Sequence, residues 1–121
     1  MSDFKDIAHR YIATFNETSA DQRRSQLEGL YTQDGGYTDP HVEVIGPEQI
    51  DEFIASTQER FPGYVFSLGG PVDGHHNQAR FQWHATAPGE ADPAYVGFDV
   101  IVTDNGRVRQ VYGFLDRTPA S

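Results

Sequence analysis

Three residues of the chain have the types and local settings that acid–base chemistry uses. Asp39 lies in the segment YTDPH, where it is either a turn residue that binds its own backbone or a general base at a cavity edge. Asp99 interrupts the apolar segment GFDVIVT, so it is either a buried carboxyl group or a residue that faces solvent or a second subunit. Tyr11 lies on an apolar stripe and is either a core residue or a phenol that points into a pocket.

Other kinds of catalytic and metal site have little support in the sequence. The chain has no cysteine, which excludes disulfides, thiolate zinc sites and cysteine nucleophiles. His75 and His76 fall in a predicted turn and His84 on a predicted strand, without metal-ligand spacing, so we interpret all three as solvated residues. The sequence has no phosphate-binding glycine loop and no GxSxG motif. We therefore expect proton transfer or ligand binding, with no metal and no organic cofactor.

The composition is typical of one compact domain that spans residues 1–121. Eighteen acidic and nine basic residues give a formal net charge of -9. This charge disfavours nucleic acid and anionic membranes as partners, because the arginines are scattered from Arg10 to Arg117. No apolar run is long enough to span a bilayer, and the N-terminus does not resemble a signal peptide. We expect a soluble, cytoplasmic protein.

Two helices are predicted in the first quarter of the chain. Apolar residues recur at helical spacing over 4–15, which predicts a first helix that Ser2 or Asp3 would cap. A second helix is predicted from about residue 19 to residue 30, with Ser19 and Gln22 spaced as a capping box. These helices would carry Tyr11 and precede Asp39.

A turn and a third helix follow. The segment QDGGYTDP predicts a turn or a short hairpin, and residues 42–45 suit a short strand. Pro47 is placed to be the first residue of a third amphipathic helix, which Pro62-Gly63 would end. Three helices are therefore expected before the main strands.

The second half of the chain has strand character. Strands are predicted over 64–68, 79–87, 95–103 and 108–115, with a hairpin turn at Asp104-Asn105-Gly106. We expect an α+β domain in which three N-terminal helices pack on a curved antiparallel sheet. Residues 95–103 are largely apolar on both faces of the strand. The second face then needs a cover, which a homodimer would provide.

Several segments together resemble the ketosteroid isomerases and, more broadly, the nuclear transport factor 2-like superfamily, which includes polyketide cyclases of the SnoaL kind. The segments are HRYI, LYTQDGGYTDP, GPEQIDEF, LGGPVDGHHN and GFDVIVTDNGRV, and they extend over nearly the whole chain. The resemblance implies that the helices and the sheet enclose a cone-shaped cavity.

The resemblance also implies roles for the three residues. Asp39 matches the family's general base, while Tyr11 and Asp99 match the two donors that bind the oxyanion. Ketosteroid isomerase divides the work in this way, with the second aspartic acid kept protonated by apolar surroundings.

Three further positions matter in this comparison. Tyr31 resembles an auxiliary tyrosine that hydrogen-bonds the catalytic one. Ile54 stands where the isomerases place another tyrosine, and Leu115 stands near an aromatic residue of the steroid pocket. These two departures argue against a steroid as the substrate more than against the fold.

Three hypotheses about function remain. The first is an enzyme that moves a proton α to the carbonyl group of a small apolar ligand, either as an isomerase or as a cyclase. The second is a non-catalytic binding domain that uses the same polar residues to hold a ligand. The third is a dimeric module that binds protein partners, because the same fold serves many functions.

Overall fold

A computed structural model describes residues 3–119 of the chain. Within this range the chain forms three helices and seven strands. Their order is α1 (Phe4–Asn16), α2 (Ala20–Leu30), β1 (Tyr31–Thr38), β2 (Glu43–Ile45), α3 (Pro47–Arg60), β3 (Val65–Leu68), β4 (Asp73–His75), β5 (Gln78–Thr86), β6 (Tyr95–Asp104) and β7 (Arg107–Arg117). The three predicted helices are confirmed.

Side-chain caps determine where the first two helices begin. Asp3 caps α1, because its Oδ1 accepts a hydrogen bond from the backbone N–H three residues later, at 3.2 Å; Ser2 lies outside the described residues. Ser19 Oγ accepts the backbone N–H of Gln22 at 3.3 Å. The Ser19 N–H donates to a Glu17 carboxylate oxygen instead of Gln22, so half of the predicted capping box forms.

The α+β class is confirmed, but the sheet is mixed. The strands lie in the order β2-β1-β7-β6-β5-β3, with β4 paired to β5. The four predicted strands form the expected antiparallel meander of β3, β5, β6 and β7. The expected purely antiparallel sheet is wrong at one point, because β1 adds to β7 in parallel. The short strand β4 also lies in a segment that was predicted as a turn.

The segment around Gly35-Gly36, predicted as a turn or a short hairpin, is the strand β1, which forms a short hairpin with β2. The two glycines have no positive φ; they permit close approach to β7 instead. A Cβ atom at Gly36 would overlap the side chain of Gln110, and one at Gly35 would lie 3.0 Å from a β7 carbonyl oxygen. The register of β1 on β7 shifts between Tyr31 and Gly36, as at a β-bulge. The hairpin turn comes after Thr38.

The core lies between the helices and the concave face of the sheet. Alternate residues of the central strand β6 point into it, and Ile101 at its centre is fully buried. Helix α1 contributes four large apolar or aromatic side chains, which are Ile7, Tyr11, Ile12 and Phe15. No helix within residues 3–119 is long and apolar enough to cross a membrane.

A buried ion pair joins α2 to α3. Arg23 Nε donates to Asp51 Oδ1 at 2.6 Å, and both side chains are nine-tenths buried or more. Arg23 also donates to the carbonyl oxygen of Glu17 at 2.8 Å and to Gln58 Oε1 at 3.2 Å. Its charge is therefore compensated on several sides. A buried charge that loses its partner is strongly destabilising, because it has already lost its hydration.

We predict that Asp51→Asn lowers the free energy of unfolding by about 3 kcal/mol or more, since it leaves the Arg23 guanidinium buried without a counter-ion. Urea unfolding followed by far-ultraviolet circular dichroism measures the loss. The matched control is Asp73→Asn, which breaks an ion pair to Arg80 whose side chains are both more than half exposed. That variant is expected to lose less than about 1 kcal/mol. Equal losses would contradict the assigned role of Asp51.

Candidate active site

The register of three neighbouring strands brings the two aspartates together. Asp99 on β6 pairs with Gly113 on β7, and Thr38 at the end of β1 pairs with Tyr112 from the other side of β7. Asp39 follows directly and lies beside Gly113. A Cβ atom at Gly113 would lie 3.0 Å from Asp99 Oδ1 and 3.3 Å from the Asp39 Cβ. The glycine therefore leaves room for both carboxyl groups.

Asp99 is a buried carboxyl group, which decides between its two interpretations. Its side chain points to the concave face, and the residue is 1% exposed. Trp83 Nε1 donates a hydrogen bond to Oδ1 at 3.1 Å. A Cβ atom at Gly97, the cross-strand neighbour of Trp83, would overlap the indole ring. The glycine thus allows the ring to lie across β6 and reach Asp99.

The two oxygens of Asp99 differ in their surroundings. Oδ1 accepts the Trp83 N–H, whereas Oδ2 is buried and has no hydrogen-bond partner within the described part of the chain. Burial raises the pKa of Asp99 from 3.8 to about 7; interactions with Tyr11 and Trp83 oppose the rise, and the charge of Asp39 adds to it. A large fraction of Asp99 is therefore protonated near neutral pH. Because Oδ1 already accepts the hydrogen bond from the Trp83 N–H, the carboxyl proton belongs on Oδ2.

Tyr11 lies beside Asp99 and stays protonated. The residue is 2% exposed, and its ring packs edge-on against Phe15 and Phe81 with centroid distances of 5.5 and 5.6 Å. Burial, together with the nearby charge of Asp99, raises the pKa of the Tyr11 phenol well above its ordinary value of 10. Tyr11 and neutral Asp99 thus place two O–H donors side by side on the cavity wall.

Asp39 is both a turn residue that binds its own backbone and a residue of the cavity wall. Its Oδ1 accepts the backbone N–H groups of His41 and Val42 at 2.8 and 3.0 Å, as a turn aspartate does. Its Oδ2 accepts a hydrogen bond from the Tyr37 hydroxyl at 2.8 Å, and the residue lines the cavity. Three donors therefore fix the orientation of this half-buried carboxylate.

Tyr37, like Trp83, is a site residue that the sequence analysis missed. It lies two residues before Asp39 on β1, on the same side of the strand, and it is 5% exposed. Burial and the charges of Asp99 and Asp39 raise the pKa of the Tyr37 phenol well above 10, so it remains a donor to Asp39. The available signal was the spacing of two residues between Tyr37 and Asp39 in the segment YTD, because side chains two positions apart in a strand point to the same face.

The remaining predicted positions are distributed between the core and the cavity. Tyr31 is buried close to Tyr11 and contributes to the raised pKa of the Tyr11 phenol; a hydrogen bond from Tyr31 to Tyr11 stays a prediction. Ile54 is completely buried in the core and does not line the cavity. Leu115 lines it.

The cavity encloses about 240 Å³ between the helices and the sheet. This is slightly below the usual range for sites that take drug-sized molecules, so the cavity has room only for a small molecule. Aromatic and aliphatic side chains form most of its wall. They are Ile12, Phe15, Val42, Phe53, Phe61, Phe66, Ala85 and Leu115. No cluster of metal-ligating side chains is present within residues 3–119. The site combines a carboxylate, two O–H donors and an apolar enclosure.

A family model of the SnoaL-like domain matches residues 8–111. No curated protein matches the chain. Among solved structures, a candidate isomerase of the SnoaL-like family from Agrobacterium tumefaciens is 35% identical, with a TM-score of 0.89. The alignment covers 93% of this chain and 97% of that one.

Two more distant structures share the fold. A candidate ketosteroid isomerase from Kribbella flavida is 18% identical with a TM-score of 0.70, over 96% of this chain and 79% of that chain. A candidate SnoaL-like polyketide cyclase from Jannaschia is also 18% identical with a TM-score of 0.70, over 96% and 90% of the two chains. At this level of identity the likeness concerns the fold.

The raised pKa of Asp99 predicts how stability changes with pH. The folded protein binds this proton more tightly than the unfolded chain does. The resulting stabilisation is complete below about pH 4 and is lost as the pH rises to about 7. A pKa change from 3.8 to about 7 corresponds to at most about 4 kcal/mol.

We compare the free energies of unfolding of Asp99→Asn and wild type. We predict that the difference between them shifts in favour of Asp99→Asn by about 2–4 kcal/mol as the pH rises from about 4 to about 8. Urea unfolding at a series of pH values measures both proteins. A constant difference across this range would show that Asp99 titrates at its ordinary pKa.

Proposed function

The chain belongs to the SnoaL-like family of the nuclear transport factor 2-like superfamily, and from this premise we propose that it catalyses proton transfer α to a carbonyl group of a small apolar ligand. Asp39 is the base in this proposal. Tyr11 and protonated Asp99 bind the oxygen that becomes negatively charged. The reaction class is isomerisation by movement of a carbon–carbon double bond.

One observation carries the proposal: the carboxyl groups of Asp39 and Asp99 flank the same side-chain-free position, Gly113, and the Tyr11 phenol lies beside Asp99. Loss of a proton next to a carbonyl group produces an enolate, whose charge is on the oxygen. Donors that are already in place stabilise this charge without reorganisation. A carboxylate at the opposite side of Gly113 is placed to hold the proton.

The steps follow from the positions of these groups. The carbonyl oxygen accepts hydrogen bonds from Tyr11 and from Asp99 Oδ2. Asp39 takes the α proton, the carbon–hydrogen electron pair becomes part of the enolate, and the carboxyl group of Asp39 is then neutral. Asp39 returns the proton to another carbon of the conjugated system, which completes the isomerisation.

Tyr37 supports the base in this mechanism. Its hydroxyl and the two backbone N–H groups hold Asp39 in one orientation. Fixing the reacting groups in a productive geometry lowers the barrier, since less entropy is lost in the transition state. Tyr37 acts through Asp39 and is a positioning residue.

The same enolate could instead attack a second carbonyl group of the same molecule, as a cyclase requires. The Jannaschia structure is named for that activity. The small cavity supports the isomerase reaction more strongly, because a cyclisation substrate must fold two reacting arms into the same space.

We propose a homodimer as the assembled form. The face of the sheet that points away from the helices carries Tyr112 and Phe114, which are 45% and 57% exposed, beside the half-buried side chains of Phe98, Val100 and Val102. Apolar surface of this kind is favourable to bury against a second copy.

We predict that Asp39→Asn lowers the rate of α-proton exchange by about 100-fold or more, because a general base contributes about that factor. Nuclear magnetic resonance in deuterated water follows exchange from a small cyclic β,γ-unsaturated ketone, and ultraviolet absorbance follows formation of its conjugated isomer. Asp34→Asn is the matched control, since Asp34 lies exposed on β1, the strand that ends directly before Asp39.

Two outcomes would contradict the proposed function. Exchange at the wild-type rate in Asp39→Asn would remove Asp39 as the base. Ketone binding by wild type without any exchange or isomerisation would favour a binding domain.

We also predict that wild type runs in size-exclusion chromatography with light scattering at twice the 13.5 kDa mass of the chain. Phe114→Glu would weaken dimerisation by at least about tenfold, since it places a charge in an apolar contact. Gln22→Glu adds the same charge on α2 and should leave the dimer intact. A wild-type monomer would exclude this assembly.

A further inference from the structure

Apart from His41, Thr57 and Trp83, the polar side chains that line the cavity are grouped into two sets. Tyr11, Tyr37, Asp39 and Asp99 form the inner set, which the proposed reaction uses. The outer set consists of Ser56, Arg60, Tyr64 and Tyr95. Apolar side chains such as Phe53 and Phe66 line the same cavity. A ligand that fills the cavity therefore meets polar groups at both ends and an apolar wall along its length.

Two elements give the distance between the sets. Tyr95 lies four residues before Asp99 on the same face of β6, which is about 13 Å along a strand. Arg60 follows Phe53 by seven residues in α3, which is about 10 Å along a helix. The Phe53 ring itself packs against Tyr37 of the inner set, with centroids 5.0 Å apart. Both measures are backbone separations, and they place Tyr95 and Arg60 about 10 Å or more from Asp99 and Phe53 along their elements.

Arg60 is held at this outer end by aromatic side chains. Its guanidinium lies over the Phe61 ring, 5.5 Å from the centroid. Phe61 in turn packs against Tyr64 and Tyr95, with ring centroids 5.4 and 5.3 Å apart. Stacking on an aromatic ring orients an arginine and leaves its N–H groups free to bind another partner.

Arg60 differs from the other ionisable residues of the cavity wall in its charge and in its lack of an ion-pair partner among the described residues. The ionisable side chains on the wall, other than tyrosines, are Asp39, His41, Arg60 and Asp99. Arg60 forms no ion pair with any acidic residue of the described chain. A basic residue in the last helical turn also interacts favourably with the helix dipole. This interaction explains a positive charge at the end of α3 but not why the Arg60 side chain lines the cavity.

We infer that the ligand carries an oxyanion, a carboxylate or a phosphate group, at the end opposite its reactive carbonyl, and that Arg60 binds this group. The inference rests on the proposed function, which places the carbonyl end of the ligand at Tyr11 and Asp99 and so leaves the opposite end towards Arg60. The planar guanidinium matches either oxyanion with two parallel hydrogen bonds. The apolar wall of the cavity fits an elongated hydrocarbon or aromatic body.

Binding measurements with a rigid enol mimic test this inference. The probe is hydroxybiphenyl carboxylic acid with its two groups at opposite ends of the molecule, together with its methyl ester and the corresponding phosphonic acid. The hydroxyl group imitates the enol oxygen, and the second group reaches towards Arg60. Trp83 is the single tryptophan of the chain and lines the cavity, so its fluorescence reports binding directly.

Wild type is expected to bind the acid about tenfold more tightly than the ester, because only the acid forms a charge-assisted hydrogen bond with Arg60. Screening by water at this exposed site limits the gain to about that factor. Arg60→Gln should bind the acid and the ester with about equal affinity. Arg60→Lys keeps the positive charge and should keep part of the preference for the acid. Arg109→Gln, which removes the same charge at an exposed position outside the cavity, should preserve it. The preference should also fall as salt is added.

The outcomes separate this inference from the proposed function. Equal affinity for acid and ester, no binding of the acid, or a preference that survives in Arg60→Gln would overturn the inference, even if the protein exchanges α protons. A preference that depends on Arg60 in a protein without exchange would support the oxyanion site and reject the catalytic proposal. A larger gain for the phosphonic acid than for the carboxylic acid would identify phosphate as the group that is recognised.

Discussion

The burial of one carboxyl group, that of Asp99, is the constraint around which the site is arranged. Asp99 lies in the middle of the central strand β6, where an apolar residue would pack without loss of hydration. The neighbouring positions accommodate the carboxyl group. Gly113 leaves space beside it, and Gly97 lets the Trp83 indole reach Oδ1. Burial then keeps the carboxyl group protonated over the lower part of the physiological pH range, so that it donates a hydrogen bond.

A second buried acid, Asp51, shows what a purely structural carboxylate looks like in the same protein. Its Oδ1 binds Arg23 at 2.6 Å and its Oδ2 lies 3.7 Å from Arg24, so both oxygens face positive charge. Asp99 Oδ2 has no such partner among the described residues. A buried polar atom without a partner costs free energy and stabilises nothing. Asp99 lines the cavity, and in the proposed reaction the carbonyl oxygen of the ligand is the partner of Oδ2.

The sequence predicted the parts of this fold that depend on local pattern. Helix α1, helix α3 and the meander follow from the period of the apolar residues and from Pro47, Asn105 and Gly106. Strand β1 was missed because Gly35-Gly36 is typical of turns, while its role here is to let β1 approach β7. That contact joins residues more than seventy positions apart, and a local pattern carries no information about it. The Arg23–Asp51 pair escaped notice for the same reason.

The site shows the same division between local and distant information. Asp39, Tyr11 and Asp99 were identified by their types and by the family resemblance, and Tyr37 is visible in the alternation of β1 once the strand is known. The family resemblance implied apolar surroundings for Asp99, but the groups that form them were not predictable from local pattern, since they are Trp83 from β5, Tyr11 from α1 and the gap at Gly113 from β7. The protonation of an acid is a property of everything packed around it. Residue types can therefore nominate a catalytic group, whereas only the assembled sheet determines whether that group donates or accepts a proton.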